Sequence, residues 1–236
     1  MLTFYPVPIF PLSPNNLLYS WRSICKQSFV LNNLGSHSQV FHKMSKSQLI
    51  YYIHGFNSSP QSKKANILKE YFAAKGMAER YRVPALPYAF NEAIDLLEEE
   101  FKHCEADDVV LIGSSLGGFY STYFAERYGF KAALINPAVD AHILLASLIG
   151  ENENIYTGEK YTLTQTHIDA LAAVNVSEII KKELFLVLVQ TEDETLDYRK
   201  AVHLYDGCHL DVEEGGSHSY ENFEQRIPQI LEFLCN

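Results

Sequence analysis

The chain has 236 residues, 47% hydrophobic and 20% charged, a length and balance suited to one well-filled globular domain. A formal charge of −10, with no basic stripe interleaved with aromatics, argues against a phosphate-binding surface, so no nucleic-acid partner is expected. No run approaches the roughly 18 apolar residues of a membrane span. The four cysteines (Cys25, Cys104, Cys208, Cys235) lie far apart with no C-x-x-C, which argues for reduced thiols in a cytoplasmic protein rather than a disulfide framework or a metal site.

Residues 1–43 stand apart. They hold three basic residues (Arg22, Lys26, Lys43) and no acid, so all 29 Asp and Glu lie further on. Prolines at 6, 8, 11 and 14 break any helical periodicity. A cleaved targeting segment fits poorly, because the front end lacks basic residues. An interaction arm is a second reading. The expectation is a disordered extension ahead of a natural start at Met44, with one domain over 44–236.

From Met44 onward short apolar runs alternate with helical patterns, the signature of a parallel sheet covered by helices. In chain order the runs predict strands at 48–53, 80–83, 108–112, 131–135, 184–189 and 209–213. The 3.6-residue periodicity predicts helices at 62–74, 91–103, 115–128, 195–203 and 219–234, with Pro228 kinking or splitting the last unless it starts just before. Residues 138–180 break the alternation. They read as a helix (AHILLASLIG), a polar turn (ENEN) and a Tyr-rich connection, and such an insertion lies over a site as a small cap.

The chemistry is concentrated in "VVLIGSSLGGFYSTYFAERYG", residues 109–129. Four apolar residues, then Gly113-x-Ser115-x-Gly117, then an amphipathic run ending at Gly129 read as strand, tight turn and helix. This is the context that a nucleophile elbow requires, with the Ser115 hydroxyl lifted above the sheet end. Side chains at either flanking glycine would collide with the neighbouring strand or block the hydroxyl. A serine hydroxyl needs a positioned base. Of nine histidines, His218 sits in the Gly-rich loop "EEGGSHSY" between the last strand and the last helix, where the order Ser…Asp/Glu…His puts the base. The stretch "QTEDETLDY" after the strongest strand offers Glu192, Asp193, Glu194 and Asp197 as the acid, and position alone does not choose among them. Oxyanion donors are expected from the backbone N–H of Leu116 and of Phe56, the latter in "YYIHGFNSSPQS", where His54 reads as a structural turn residue. Cys208-His209 lacks partners at zinc spacing.

Residues 48–234 resemble the YqiA-like esterases, a small branch of the α/β-hydrolase fold. The resemblance lies in "YIHGFNSSPQSKKA", "VPALPY", "LIGSSLGGFYST", "NPAVDAHILL", "GENENIYTGEKY", "QTEDETLDYRKAV" and "VEEGGSHSYENF". It implies a mostly parallel central sheet with helices on both faces and a cap insertion at about 138–180. It also implies Ser115 as nucleophile, His218 as base and Asp193 as acid, without metal or organic cofactor. The activity implied is hydrolysis of small carboxylic esters, with some acyl-thioester activity. This chain departs from the pattern at Asp140, where a basic residue is expected, and at Pro228. Amidase or lyase chemistry on the same triad, or a non-catalytic binding protein on the same fold, are the alternatives. Oligomeric state is left open.

Overall fold

The structure, a computed structural model, describes residues 48–236. The expected extension at 1–43, with Cys25, His37 and His42, lies outside the described residues. Six strands form one parallel sheet: β1 (Leu49–Ile53), β2 (Tyr81–Arg82), β3 (Val109–Ser114), β4 (Lys131–Ile135), β7 (Phe185–Gln190) and β8 (His209–Glu213). Their spatial order is β2-β1-β3-β4-β7-β8. All neighbouring pairs are parallel, and β3 registers Leu111 against Tyr51 on one side and Ala132 on the other.

Because side chains alternate across a strand, the central strands feed two cores. Val109 and Leu111 of β3 face one apolar cluster, with Tyr51, Leu134 and Val187, while Val110 and Ile112 face the other. The first core is closed by α2 (Phe90–Phe101) and α3 (Leu116–Tyr128), through Leu97, Phe101, Phe119 and Phe124, all at most 4% exposed. The second is closed by α1 (Lys63–Ala74) and α7 (Phe223–Cys235), through Leu68, Phe72, Ile227 and Ile230. Each such buried side chain contributes about 1.5–3 kcal/mol. Helices therefore cover both faces, and the strands' C-terminal ends stay open to loops.

Helix ends follow local chemistry. Gly129 ends α3 at φ 81°, in the left-handed conformation expected there. The last helix starts at Phe223 rather than 219, because Tyr220 and Asn222 take φ of 59° and 56°, which no right-handed helix contains. Pro228 lies inside α7 without dividing it, leaving the Glu224 carbonyl without its i+4 donor.

The insertion departs from the expected reading in two places. The polar stretch ENEN is no turn: Gly150–Glu153 is a strand, β5, paired antiparallel with β6 (Lys160–Leu163) in a separate two-stranded sheet. Outward polar residues alternate with inward ones along it, and Tyr161 and Leu163 on β6 are buried. The turn proper is 154–159, with Gly158 at φ 70°. Next, Gln165–Ala173 forms a helix, α5, after the short α4 (Ala141–Ala146). Its N-terminus is closed by the Thr164 N–H donating to His167 Nδ1 at 3.3 Å. A histidine there replaces the Glu or Gln of the usual capping signature, which is why the start is hard to read.

Candidate active site

Ser115 follows directly on β3 and precedes α3, with φ 56° and ψ −122°. Such a conformation costs a non-glycine residue about 1–3 kcal/mol. Its backbone is held on both sides: the Ser115 N–H donates to Ile135 O at 3.1 Å, and Ser115 O accepts from Ala138 N–H at 3.0 Å. At Gly117 the steric cause is the expected neighbouring strand, and at Gly113 it is the helix that follows Ser115. A Cβ on Gly117 would overlap the Ile53 carbonyl and lie 2.7 Å from His54 O, and one on Gly113 would lie 2.5 Å from Gly117 O. Gly118 lets α3 pack on Pro137, whose Cβ would stand 2.7 Å from an added one.

Three of the residues singled out from the sequence form one hydrogen-bonded chain. His218 Nε2 lies 3.1 Å from Ser115 Oγ, and His218 Nδ1 lies 2.8 Å and 3.0 Å from the two Asp193 carboxylate oxygens. The Asp193 side chain is 2% exposed and that of His218 is 23%. Asp193 Oδ1 also accepts the N–H groups of Thr195 and Leu196, both at 2.8 Å, so its orientation is fixed from its own loop. The other three acids do different things. Glu194 accepts the His218 backbone N–H at 2.9 Å, which holds its carboxyl below the usual range. Asp197 caps α6 (Tyr198–Leu204), accepting the Arg199 N–H and pairing with its guanidinium. Glu192 takes no part in the chain.

Polar side chains at strand ends carry the His218 loop, and sequence reading missed them. Gln190, ending β7, accepts the N–H groups of Ser217 and Glu221 on Oε1 at 3.1 and 2.8 Å. Asn136, just after β4, donates to Ser217 O and His218 O and accepts the Gln190 N–H. Lys64 Nζ donates to Ser219 O at 2.9 Å. Three successive carbonyls, 217 to 219, thus each accept a side-chain donor. The available signal was a lone polar residue closing an otherwise apolar strand, in "LFLVLVQ" and "KAALIN".

The loop after β1 approaches Ser115 closely: a Cβ on Gly55 would sit 3.1 Å from Ser115 Cβ and 3.5 Å from its Oγ. Among the described residues the Phe56 and Leu116 N–H groups have no protein acceptor. His54, 3% exposed, sets the orientation of the Gly55–Phe56 peptide. The Leu86 N–H donates to its Nε2 at 3.3 Å, so Nδ1 carries the proton and donates to Gly55 O at 3.0 Å. That peptide's N–H belongs to Phe56 and points the other way. Burial pulls the His54 imidazole below the ordinary histidine value.

Ser115 and His218 line a cavity of about 260 Å³ with Tyr52, Phe56, Ile155 and Tyr156. A second, of about 280 Å³, adjoins the 55–58 loop and is lined by Leu86, Phe90, Leu116 and Tyr120. The insertion therefore overhangs the site through its hairpin tip. It is tied to the loop below by Asn154 Nδ2 donating to Ser58 O at 3.2 Å and by the Tyr161 hydroxyl donating to Asn57 Oδ1. Asp140 lies elsewhere, lining a different cavity with Lys200 and His203. Of the described histidines only His218 lines the cavity that holds Ser115. No group of three or more His, Cys, Asp or Glu side chains is placed to hold a metal ion among the described residues. None of their helices is long and apolar enough to cross a membrane.

A parallel sheet with a serine on a strained turn after its central strand, and a histidine and an acid delivered by later strand ends, defines the α/β-hydrolase fold. Solved structures of that class superpose on the chain. Alpha/beta hydrolase domain-containing protein 10 from mouse matches with TM-score 0.60 at 17% identity, over 79% of this chain and 87% of that one. Est1E from Butyrivibrio proteoclasticus matches with TM-score 0.53 at 16% identity, over 79% and 86%. The esterase domain of a Rhodothermus marinus protein matches with TM-score 0.52 at 17% identity, over 80% and 87%. Within this fold the chain belongs to the Uncharacterised protein family (UPF0227), the YqiA-like family, whose profile matches residues 49–235.

Proposed function

We propose that the protein is a serine hydrolase that cleaves small carboxylic esters or acyl thioesters through an acyl-enzyme. The observation that carries this reading is the chain of hydrogen bonds from Asp193 through His218 to Ser115. In it, His218 Nε2 takes the Ser115 proton as Oγ attacks the substrate carbonyl, and the C–O or C–S bond to the leaving group breaks as the imidazolium returns that proton. Water, deprotonated by the same nitrogen, then releases the acid. Asp193 keeps the proton of neutral His218 on Nδ1 and stabilises the cation formed during transfer. The tetrahedral oxyanion lies against the N–H groups of Leu116 and Phe56, which are free to donate. Esterases among the structures of the same fold agree with this reading, as does the esterase character of the family.

A fluorophosphonate tests it, because the reagent bonds only to a serine with an activating base and an oxyanion site. Stoichiometric labelling of the peptide containing Ser115 is expected, with none in Ser115→Ala or His218→Ala, read by mass spectrometry. A folded protein that stays unlabelled would leave only a binding role.

A further inference from the structure

The cavity around Ser115 differs in charge from the molecule that contains it. The chain carries −10, yet the charged side chains lining this cavity, His218 aside, are Lys63 and Lys64, with no carboxylate among the lining residues. Neither lysine forms an ion pair among the described residues. The bond from Lys64 Nζ to Ser219 O occupies one of three donors and cancels none of the charge. Desolvation, reinforced by Lys63, pushes the Lys64 ammonium down to about 8, as expected of a cation short of counter-charge. Asp193 acts in the opposite sense, but its oxygens are bonded to His218 and its own loop. Asp140 lines another cavity and does not offset the lysines.

We propose that Lys63 and Lys64 form an anion subsite beside Ser115, so that the preferred substrate is an ester or thioester bearing a carboxylate or phosphate close to the scissile bond. This rests on the hydrolase reading above and adds the substrate's charge to it. Lys64, partly desolvated beside the exposed Lys63, attracts an anion more strongly than it would in open water, and added salt weakens that attraction. The anion can belong to the acyl part or to the leaving group, and the two are separable by experiment.

The test compares kcat/KM for p-nitrophenyl butyrate, mono-p-nitrophenyl succinate and a butyryl ester of glycerol phosphate, in the wild type, Lys63→Glu and Lys64→Met. The expected result is a wild-type preference for one of the anionic esters by about tenfold or more, shrinking as salt is raised, and a comparable fall in that ratio in each variant. Preference for the succinate places the anion on the acyl side, and preference for the glycerol phosphate ester on the leaving-group side. The ratio is the decisive quantity, because damage to the His218 loop through Ser219 would slow all substrates together. A ratio that the variants leave unmoved, or a wild type that favours the neutral ester, overturns the subsite while fluorophosphonate labelling of Ser115 still supports the hydrolase. Absence of both labelling and hydrolysis overturns the hydrolase reading and the subsite with it.

Discussion

At the scale of single residues the site depends on neighbouring carboxylates that differ only in what they touch. Asp193 and Asp197 are four positions apart in one acidic stretch, yet the first is bonded to His218 and the second closes a helix and pairs with Arg199 at 2.8 Å. Asp193→Asn keeps an oxygen for the Thr195 and Leu196 N–H groups, so the loop should hold its shape. It turns an amide N–H toward His218 Nδ1, however, and that favours the wrong tautomer. A loss of about 10⁴ in kcat is expected, the size of the effect when the aspartate of a serine protease triad becomes asparagine. Asp197→Asn should cost less than about tenfold in kcat and about 1 kcal/mol of stability at most, as a weakened cap. Steady-state kinetics and denaturant titration of both variants check the assignment. A rate loss that followed Asp197 would move the acid. The acidic cluster was legible in the sequence, but the choice within it came from the resemblance to a family, since four carboxylates after one strand look alike to any periodicity.

At the scale of elements, loops from different strands are pinned to one another by buried polar side chains. His54, directly after β1, accepts the Leu86 N–H from the loop after β2 and donates to Gly55 O, which ties two loops at the sheet's C-terminal edge. This makes stability pH-dependent in a definite direction. The folded-state pKa of His54 lies below its unfolded value, so the unfolded chain binds more protons in the window between the two. Stability is therefore complete above the ordinary histidine value of about 6.5 and is lost as pH falls from there toward the folded pKa. Melting temperatures measured from pH 7.5 down to about 5 should drop more steeply for the wild type than for His54→Asn. Parallel curves would show that His54 does not contribute this linkage. Strand and helix runs were readable because their apolar spacing is local. The β5–β6 hairpin and α5 were not, because β5 is written in polar residues and α5 is capped by a histidine.

At the scale of the whole molecule, two cavities of about 260 and 280 Å³ meet beside one loop under a tethered hairpin. That volume suits short acyl groups. Esters with roughly two to six acyl carbons should be hydrolysed faster than long ones, since each further methylene gains only about 0.8 kcal/mol when buried and nothing once it projects into water. A series of p-nitrophenyl esters from acetate to palmitate checks this. Rates climbing steadily to the long chains would mean that the hairpin lifts away to open a channel.

The sequence by itself determined the parallel sheet, the serine turn and the position of the candidate histidine. Each of these is written in adjacent residues: β-branched runs that need two apolar faces, glycines where a Cβ would strike Ile53 or Gly117, and a Gly-rich loop before the last helix. Only the tertiary structure decided what meets there. Ser115 and His218 are 103 positions apart, and their contact depends on the strand order that sets β7 beside β4 and β8 beside β7. The same order brings Gln190 and Asn136 under the histidine loop, and packing on the opposite face brings the lysines of α1 to the serine's cavity. Local sterics constrain neighbours along the chain. Polar partners from distant segments become fixed only when burial makes an unpaired hydrogen-bonding group expensive.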